Sequence, residues 1–234
     1  MESLSEILEP YKDYVAKAAQ LLTLVQIASP IPVFYGMSKT KSTNGMPSLM
    51  FLLITVFTAL GTRFSVLIND DASFNSNAIG LALSVVYVTI FYYYIPAAEK
   101  SAEYKKLFAT IAFIVGVLVY SEYEDPEKIE HRFGLIFTAL FLGFMILPIM
   151  DTMRAFKEKS TKHMPFPMII TGFFVGLSWF LHGIIIQSGF VIGQNALMLV
   201  INIIQLSLFV IYPSDPSTIK DQQPSKKKRN KKAD

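Results

Sequence analysis

Cysteine is absent from the chain, which removes disulfides, thiolate catalysis and cysteine-held metals from consideration. Charge is scarce: Asp, Glu, Lys and Arg make up 17% of 234 residues against 52% hydrophobic, and the mean hydropathy is positive. That balance excludes an ordinary water-soluble domain and fits a multi-span membrane protein. No strongly basic flank precedes the first apolar run, because the N-terminus opens with Glu2, Glu6 and Glu9. A cleaved secretory signal is therefore not expected, and the first span should stay in the protein. None of the 18 Asp and Glu residues lies in the middle of an apolar stretch. Proton or sodium coupling usually relies on an intramembrane carboxylate, so the expectation is uncoupled, bidirectional flow. No catalytic cluster is visible either, and an enzyme is not expected.

What the chain has is apolar length. Stretches run at 15–37, 47–68, 74–95, 107–120, 133–150, 165–186 and 190–212. Most reach the roughly 20 residues a helix needs to cross the hydrocarbon layer; the fourth is short. Charge settles that one. The segments after spans 1, 3, 5 and 7 hold 16 of the 21 Lys and Arg residues, including Lys39, Lys41, Lys100, Lys105, Lys106, Arg154, Lys157, Lys159 and Lys162. Segments on the other side are short or acidic, among them Asn69-Asp70-Asp71 and Glu122-Tyr123-Glu124-Asp125. The positive-inside rule then puts the C-terminus in the cytosol and the N-terminus outside, and requires span 4 to cross.

The chain also repeats itself at an offset of 118 residues. Pro30-Ile31 recurs as Pro148-Ile149, Lys41-Ser42-Thr43 as Lys159-Ser160-Thr161, Met46-Pro47 as Met164-Pro165, and Asn77 as Asn195. Both Lys-Ser-Thr segments fall on the cytosolic side, so the two copies run parallel. A three-helix unit crosses an odd number of times, so one inverting helix must stand between them. The expected fold is an all-α membrane protein with seven transmembrane helices: two parallel three-helix bundles joined by an inverting linker helix (3+1+3), about a pseudo-two-fold axis along the membrane normal.

Over about residues 15–213, these motifs, with Ser178-Trp179-Phe180 and Asn195 at matching spacing, resemble the SWEET sugar-transporter family. The resemblance implies a facilitator passing mono- or disaccharides down their gradient through a central cavity by alternating access. It implies a gating proline tetrad at Pro30, Pro47, Pro148 and Pro165. It also implies a sugar site of Asn77 and Asn195 for hydroxyls, Trp179 for ring stacking and Thr58 as a small hydroxyl. There are departures: Gly61-Thr62 stands where the family often has an aromatic opposite Trp179, Ser188 where plant members often carry an acidic outer-gate residue, and His182 in place of a common tyrosine.

The residue chemistry agrees with such a solute. Asn offers an acceptor and two donors on a short side chain, and Trp gives the largest flat platform with one donor. Asn77, Asn195 and Trp179 are all expected in the outer half of the bilayer. Asn inside a membrane helix is also often interhelical glue, Trp near a helix end is often an interfacial belt residue, and Thr58 has the option of bonding back to its own helix. Pro47 and Pro165 fall at span starts, where a missing N–H costs little. Pro30 and Pro148 lie deep in spans 1 and 5, where each removes a bond to the carbonyl four residues back and kinks the helix, a candidate hinge. Arg63 is expected to line an outer vestibule or to snorkel to the interface, and His182 to be a source of pH sensitivity. Phe141 and Phe144 are candidates to narrow the cavity towards monosaccharides.

The expected division is 1–14 as an extracellular N-terminal segment, 15–95 as the first three-helix repeat, and 96–130 as the linker with transmembrane helix 4. Residues 131–213 form the second repeat, and 214–234 a disordered basic cytosolic tail. The Lys-Arg cluster at 226–232 would be drawn to anionic lipid, and Lys231-Lys232-Ala233-Asp234 looks like a dilysine retrieval signal. Expected partners are a sugar and the lipid bilayer, with no nucleic acid, no metal and no cofactor; a homo-oligomer is an open arrangement. The expected site is the plasma membrane, with Golgi or ER as the alternative. Two rivals stand. A seven-helix receptor would not need the repeat or such short loops. A PQ-loop relative carrying amino acids or another small solute usually has Pro-Gln in spans 1 and 5, where Ile follows Pro30 and Pro148.

Overall fold

The computed structural model describes residues 2–43 and 45–212; the expected basic tail, with its lysine cluster, lies outside the described residues. Among those described there is no strand. A short helix α1 (Glu2–Leu8) and one 3-10 turn lead into α2 (Lys12–Ala28) and α3 (Ile31–Thr40), which together occupy the place of span 1. Then come α4 (Leu49–Leu67), α5 (Asp71–Tyr93), α6 (Lys100–Tyr123), α7 (Ile129–Glu158), α8 (Phe166–Ile185) and α9 (Gly189–Ile211). Six helical stretches are long and apolar enough to cross a membrane, and α6 is not one of them. It is nonetheless about 36 Å long at 1.5 Å per residue, and it runs the length of the bundle. Near its start Glu103 accepts from the Ser48 hydroxyl of α4, and near its end Ser121 accepts from Arg63 Nε at 3.0 Å.

The repeat is written in the packing. Helix α2 packs on α5 and α8, α7 packs on α9 and α4, α4 packs on α5, and α8 packs on α9. Exchanging α2 with α7, α4 with α8 and α5 with α9 maps this set onto itself. The backbone repeats too. Lys41 and Lys159 have φ of 54° and 49°, and Asn69 and Gln187 have 51° and 54°. These left-handed residues are rare outside glycine, yet they recur at the same offset, each closing a helix with the same turn.

Both copies begin at one end of the molecule, here the head end. There Ile68 after α4, Glu130 at the start of α7 and the turn Ile186–Phe190 line a single pocket. At the opposite, basic end Lys41 Nζ donates to Tyr94 OH at 3.3 Å, and in the second repeat the Thr161 hydroxyl donates to the carbonyl of Tyr212, the equivalent of Tyr94, at 3.4 Å. The two trios therefore point the same way, and α6 returns the chain between them. At the head end Glu124 ties α6 to α7: the Tyr120 hydroxyl, the Asp125 N–H and Arg132 together hold its carboxyl down to about 2.

The apolar cores are divided in a way that matters below. One cluster, with Phe34, Met37, Phe51 and Phe91, belongs to the first repeat alone, at the basic end. A second, with Ala155, Met164, Ile169 and Leu208, belongs to the second repeat alone, also at the basic end. The third joins the repeats at the head end: Val56, Leu60 and Phe64 of α4 with Ile129, Phe133 and Phe137 of α7 and Val191 of α9. Large side chains such as Leu21, Val85, Phe108, Leu142 and Val200 are exposed, as suits helices solvated by lipid.

The prolines depart from the expected symmetry. Pro148 lies inside a continuous α7, whereas the helix breaks at Ser29-Pro30 between α2 and α3. The reason is a second proline. Pro30-Ile31-Pro32 removes two N–H donors, aimed at Gln26 and Ala28, where Pro148 removes only one. Ser29 N–H turns back to the Gln26 carbonyl at 3.1 Å in partial compensation. Each kink is then met by a side chain from the third helix of its own repeat: Tyr87 OH donates to the Ile27 carbonyl at 3.0 Å, and Gln205 Nε2 to the Pro148 carbonyl at 3.0 Å. Tyr87 and Gln205 are themselves 118 residues apart. Pro165 caps α8, while Pro47 precedes the cap Ser48 of α4.

Candidate functional site

The third helix of each repeat brings the first site residue. Asp70 caps α5, its side chain accepting from Ala72 N, and Ser188 caps α9 by accepting from Val191 N. Asn77 and Asn195 lie seven residues beyond these caps, about 10 Å along the axis at 1.5 Å per residue. Both amides are held alike: Nδ2 donates to the carbonyl four residues back, Ser73 and Val191 respectively, at 2.9 Å. Their Oδ1 atoms take no hydrogen bond from within the described residues. Trp179 lies seven residues before Ile186, the C-cap of α8, so all three stand about two helical turns from the head end. No hydrogen bond joins one to another.

The surroundings of the two halves differ. In the first, Asn77 folds over Gly61: a Cβ on that glycine would stand 2.5 Å from Asn77 Oδ1 and 2.8 Å from Cγ. The Ser65 hydroxyl accepts a longer bond from Asn77 Nδ2 at 3.4 Å. In the second, the position of Gly61 holds Trp179, whose indole N–H donates to the Thr23 hydroxyl of α2 at 2.7 Å. Thr58 is 5% exposed and its hydroxyl turns back to the Ile54 carbonyl at 2.9 Å. Its methyl lies close to Gly80 of α5, so it packs α4 against α5 with its hydroxyl already engaged.

Two further residues have defined partners. Arg63 reaches towards the end of the linker helix, a quarter exposed. It bonds the Ser121 hydroxyl and carbonyl and pairs with Glu122 at 2.9 Å, tying α4 to the linker helix. His182 is buried: it is 2% exposed, and its Nε2 meets Asp70 Oδ1 at 2.9 Å. Burial alone would raise the Asp70 carboxyl, but the His182 bond and charge, with Ser73 and the Ala72 N–H, outweigh it and leave it below its ordinary value. The ring of His182 also meets Trp179 edge to face at 5.3 Å. This pair escaped the sequence reading because its members are 112 residues apart and one sits in a turn. The available signal was asymmetry, since Asp70 answers to Ser188 and His182 to Phe64 at the repeat offset.

The repeats thus meet along two seams. On the α2–α8 seam the bridges are polar: Thr23 to Trp179, Asp70 to His182, and at the tip Ser5 Oγ to the Ile185 carbonyl at 3.3 Å. On the α4–α7 seam they are rings. Phe57 meets Phe137, Phe144 and Phe141 at 4.7, 5.4 and 6.4 Å, and Phe64 meets Phe137 at 5.3 Å. Phe141 and Phe144 therefore pack against α4. Among the described residues no group of three acidic or imidazole side chains could hold a metal.

Comparison with known proteins places these features in a family. The profile described as "Sugar efflux transporter for intercellular exchange" matches residues 13–99 and again 131–217, once per repeat. The chain is 26% identical over 207 residues to "Sugar transporter SWEET1" of Drosophila pseudoobscura pseudoobscura, covering 86% of this chain and 89% of that one. It is 26% identical over 196 residues to "Bidirectional sugar transporter SWEET13" of Oryza sativa subsp. japonica, covering 82% of this chain and 66% of that one. It thus spans about two thirds of the length of the rice relative. A solved structure, "The 3.7 A resolution structure of a eukaryotic SWEET transporter", superposes with a TM-score of 0.80 at 19% identity, covering 87% of this chain and 97% of that one. The fold is therefore shared.

Proposed function

Because the chain belongs to the family of sugar efflux transporters for intercellular exchange, we propose that it is a bidirectional facilitative sugar transporter, a uniporter moving mono- or disaccharides by alternating access. The observation that carries this is the division of the cores. Each repeat has its own core at the basic end, and the two share one only at the head end. Such a body can part at the basic end without exposing an interior, as one of the two states of a rocking pair.

In this reading Asn77 and Asn195 present amide groups to sugar hydroxyls, and Trp179 offers its indole face to the sugar's C–H side. Thr58 supports them by packing rather than through its hydroxyl. Pro30 and Pro148 are the hinges, with Pro47 and Pro165 ending the loops that close the basic mouth. The domain division is a head segment 1–14, repeats 15–95 and 131–213, the linker 96–130, and the tail from 214. The chain is an integral membrane protein; we place its basic end in the cytosol by the positive-inside rule, in the plasma membrane ahead of the Golgi or ER. No catalytic role is proposed.

Purified protein in liposomes tests this. Labelled glucose, fructose, sucrose and trehalose should be compared with amino acids, with and without imposed proton and sodium gradients. Uptake of a sugar to equilibrium without accumulation, lost in Asn77→Ala and Asn195→Ala variants that still fold, is the expected result. Uptake of amino acids alone, or gradient-driven accumulation, would overturn it.

A further inference from the structure

The linker helix α6 is tied to the first repeat at each end by a different neighbour. At the basic end the Tyr92 hydroxyl of α5 donates to the Glu103 carbonyl at 2.9 Å, and the Tyr92 ring meets Tyr104 at 5.5 Å. At the head end Arg63 of α4 donates to the Ser121 hydroxyl and carbonyl. Between these ties lies an apolar groove of about 480 Å³, with α4 as its floor, Leu81 of α5 on one wall and Ile111 and Val115 of α6 on the other. Small residues, Ala59 and Thr62, keep the floor low, and the Thr62 hydroxyl is turned back to the Thr58 carbonyl at 2.7 Å. Ile111 and Val115 are each 51% exposed, so the groove opens to the lipid side.

Its length is that of one leaflet. Ten residues separate Ser121 from Ile111, about 15 Å at 1.5 Å per residue, which is half of the ~30 Å hydrocarbon core. A cation stands at its head end. Arg63 is a quarter exposed there and spends Nε and Nη2 on Ser121 and Glu122; among the described residues nothing takes Nη1. The Glu122 carboxylate is 67% exposed, and an exposed pair of this kind is held weakly. The planar fork of an arginine matches a phosphate, whereas the uncharged hydroxyl of a sterol calls for no cation. The repeat itself does not call for one either, because Leu181 stands at the equivalent position.

We propose that this groove is a phospholipid site: an acyl chain of the head-side leaflet lies between α5 and α6 over Ala59 and Thr62, with its phosphate on Arg63. The chain fills the space between the two walls and so completes the attachment of the linker helix to the first repeat. The site is on the lipid-exposed side of that repeat, and nothing in it depends on which solute the protein carries.

The full chain, purified in detergent and freed of lipid, is titrated in turn with dioleoyl phosphatidylcholine, with dioleoylglycerol, which has the same chains but no phosphate, and with cholesterol. Melting temperature and native mass spectra read the binding. Phosphatidylcholine should raise the melt and appear as an adduct at about ten-fold lower concentration than dioleoylglycerol, a difference of ~1.4 kcal/mol, and cholesterol should do neither. Val115→Trp fills the groove from its exposed side and should weaken phospholipid binding by about ten-fold. Val200→Trp, at a 53% exposed position of α9, should bind as the parent does. Arg63→Gln should bring phosphatidylcholine and dioleoylglycerol level; should that variant not fold, Val115→Trp decides alone. Phospholipid binding equal in the parent and in Val115→Trp, or equally weakened by Val200→Trp, would overturn the proposal, as would binding of cholesterol in place of phospholipid.

Discussion

The two seams are one place built twice from different chemistry. At equivalent positions the α2–α8 seam sets Val15, Ala19 and Thr23 against Trp179 and His182, while the α4–α7 seam sets Phe133, Phe137 and Phe141 against Gly61 and Phe64. The aromatic seam is closed by shape, through many small dispersion contacts that are lost together. The polar seam is closed by a few directed bonds, each of which can be undone alone. A transporter that rocks needs one boundary that persists and one that yields, and an exact two-fold would supply neither preferentially. The departure from symmetry is thus where the mechanism is concentrated.

The sharpest way to break this contrast is to hollow the aromatic seam. Phe133 is 0% exposed, and Phe133→Ala should lower stability by about 3–5 kcal/mol, the usual range for a buried Phe-to-Ala cavity; a denaturation series in detergent measures it. Overfilling is the next test. A Cβ on Gly134 would stand 2.5 Å from the Phe190 ring, so Gly134→Val should cost about 1–3 kcal/mol and shift the melt accordingly. At the candidate sugar site the effect should be on transport rather than on folding. Gly61→Ala pushes the Asn77 amide aside with a stability change of about 1 kcal/mol or less, yet uptake should fall several-fold. Smallest of all, the double exchange Asp70→Ser/His182→Phe should leave stability unchanged or slightly raised, because an incomplete buried pair is replaced by both residues of the other repeat. A large loss of stability there would mean that the two seams do not differ as described.

Much of the architecture could be read in the chain because a repeat constrains topology without any contact being known. Lys41-Ser42-Thr43 and Lys159-Ser160-Thr161, on one side of the membrane, already require parallel trios and an inverting helix, and the matching left-handed turns at Lys41 and Lys159 are that symmetry in backbone form. Helix lengths were less legible. Residues 2–8 fold as α1, whose Ser5 bonds the end of α8, and α7 runs on to an Arg154–Glu158 pair past the apolar stretch, because helices do not stop where hydrophobicity does. The hinge asymmetry was present in the sequence as Pro32, a proline without a counterpart. The distance of Asn77, Asn195 and Trp179 from their helix ends is a matter of counting residues. Their neighbours are not, since a side chain such as Arg63 chooses its partner across helices and no periodicity records that choice.

Rocking about the aromatic seam is most directly tested by paired spin labels on a chain that has no native cysteine. One pair, Lys39→Cys with Lys157→Cys, spans the basic end; the other, Asp71→Cys with Gly189→Cys, spans the head end, and each pair is related by the repeat offset. Electron–electron distances should be taken in liposomes with and without saturating transported sugar. Rocking predicts reciprocal change, the basic-end distance shortening as the head-end distance lengthens. Both distances moving in the same direction, or neither moving in protein that transports, would contradict it.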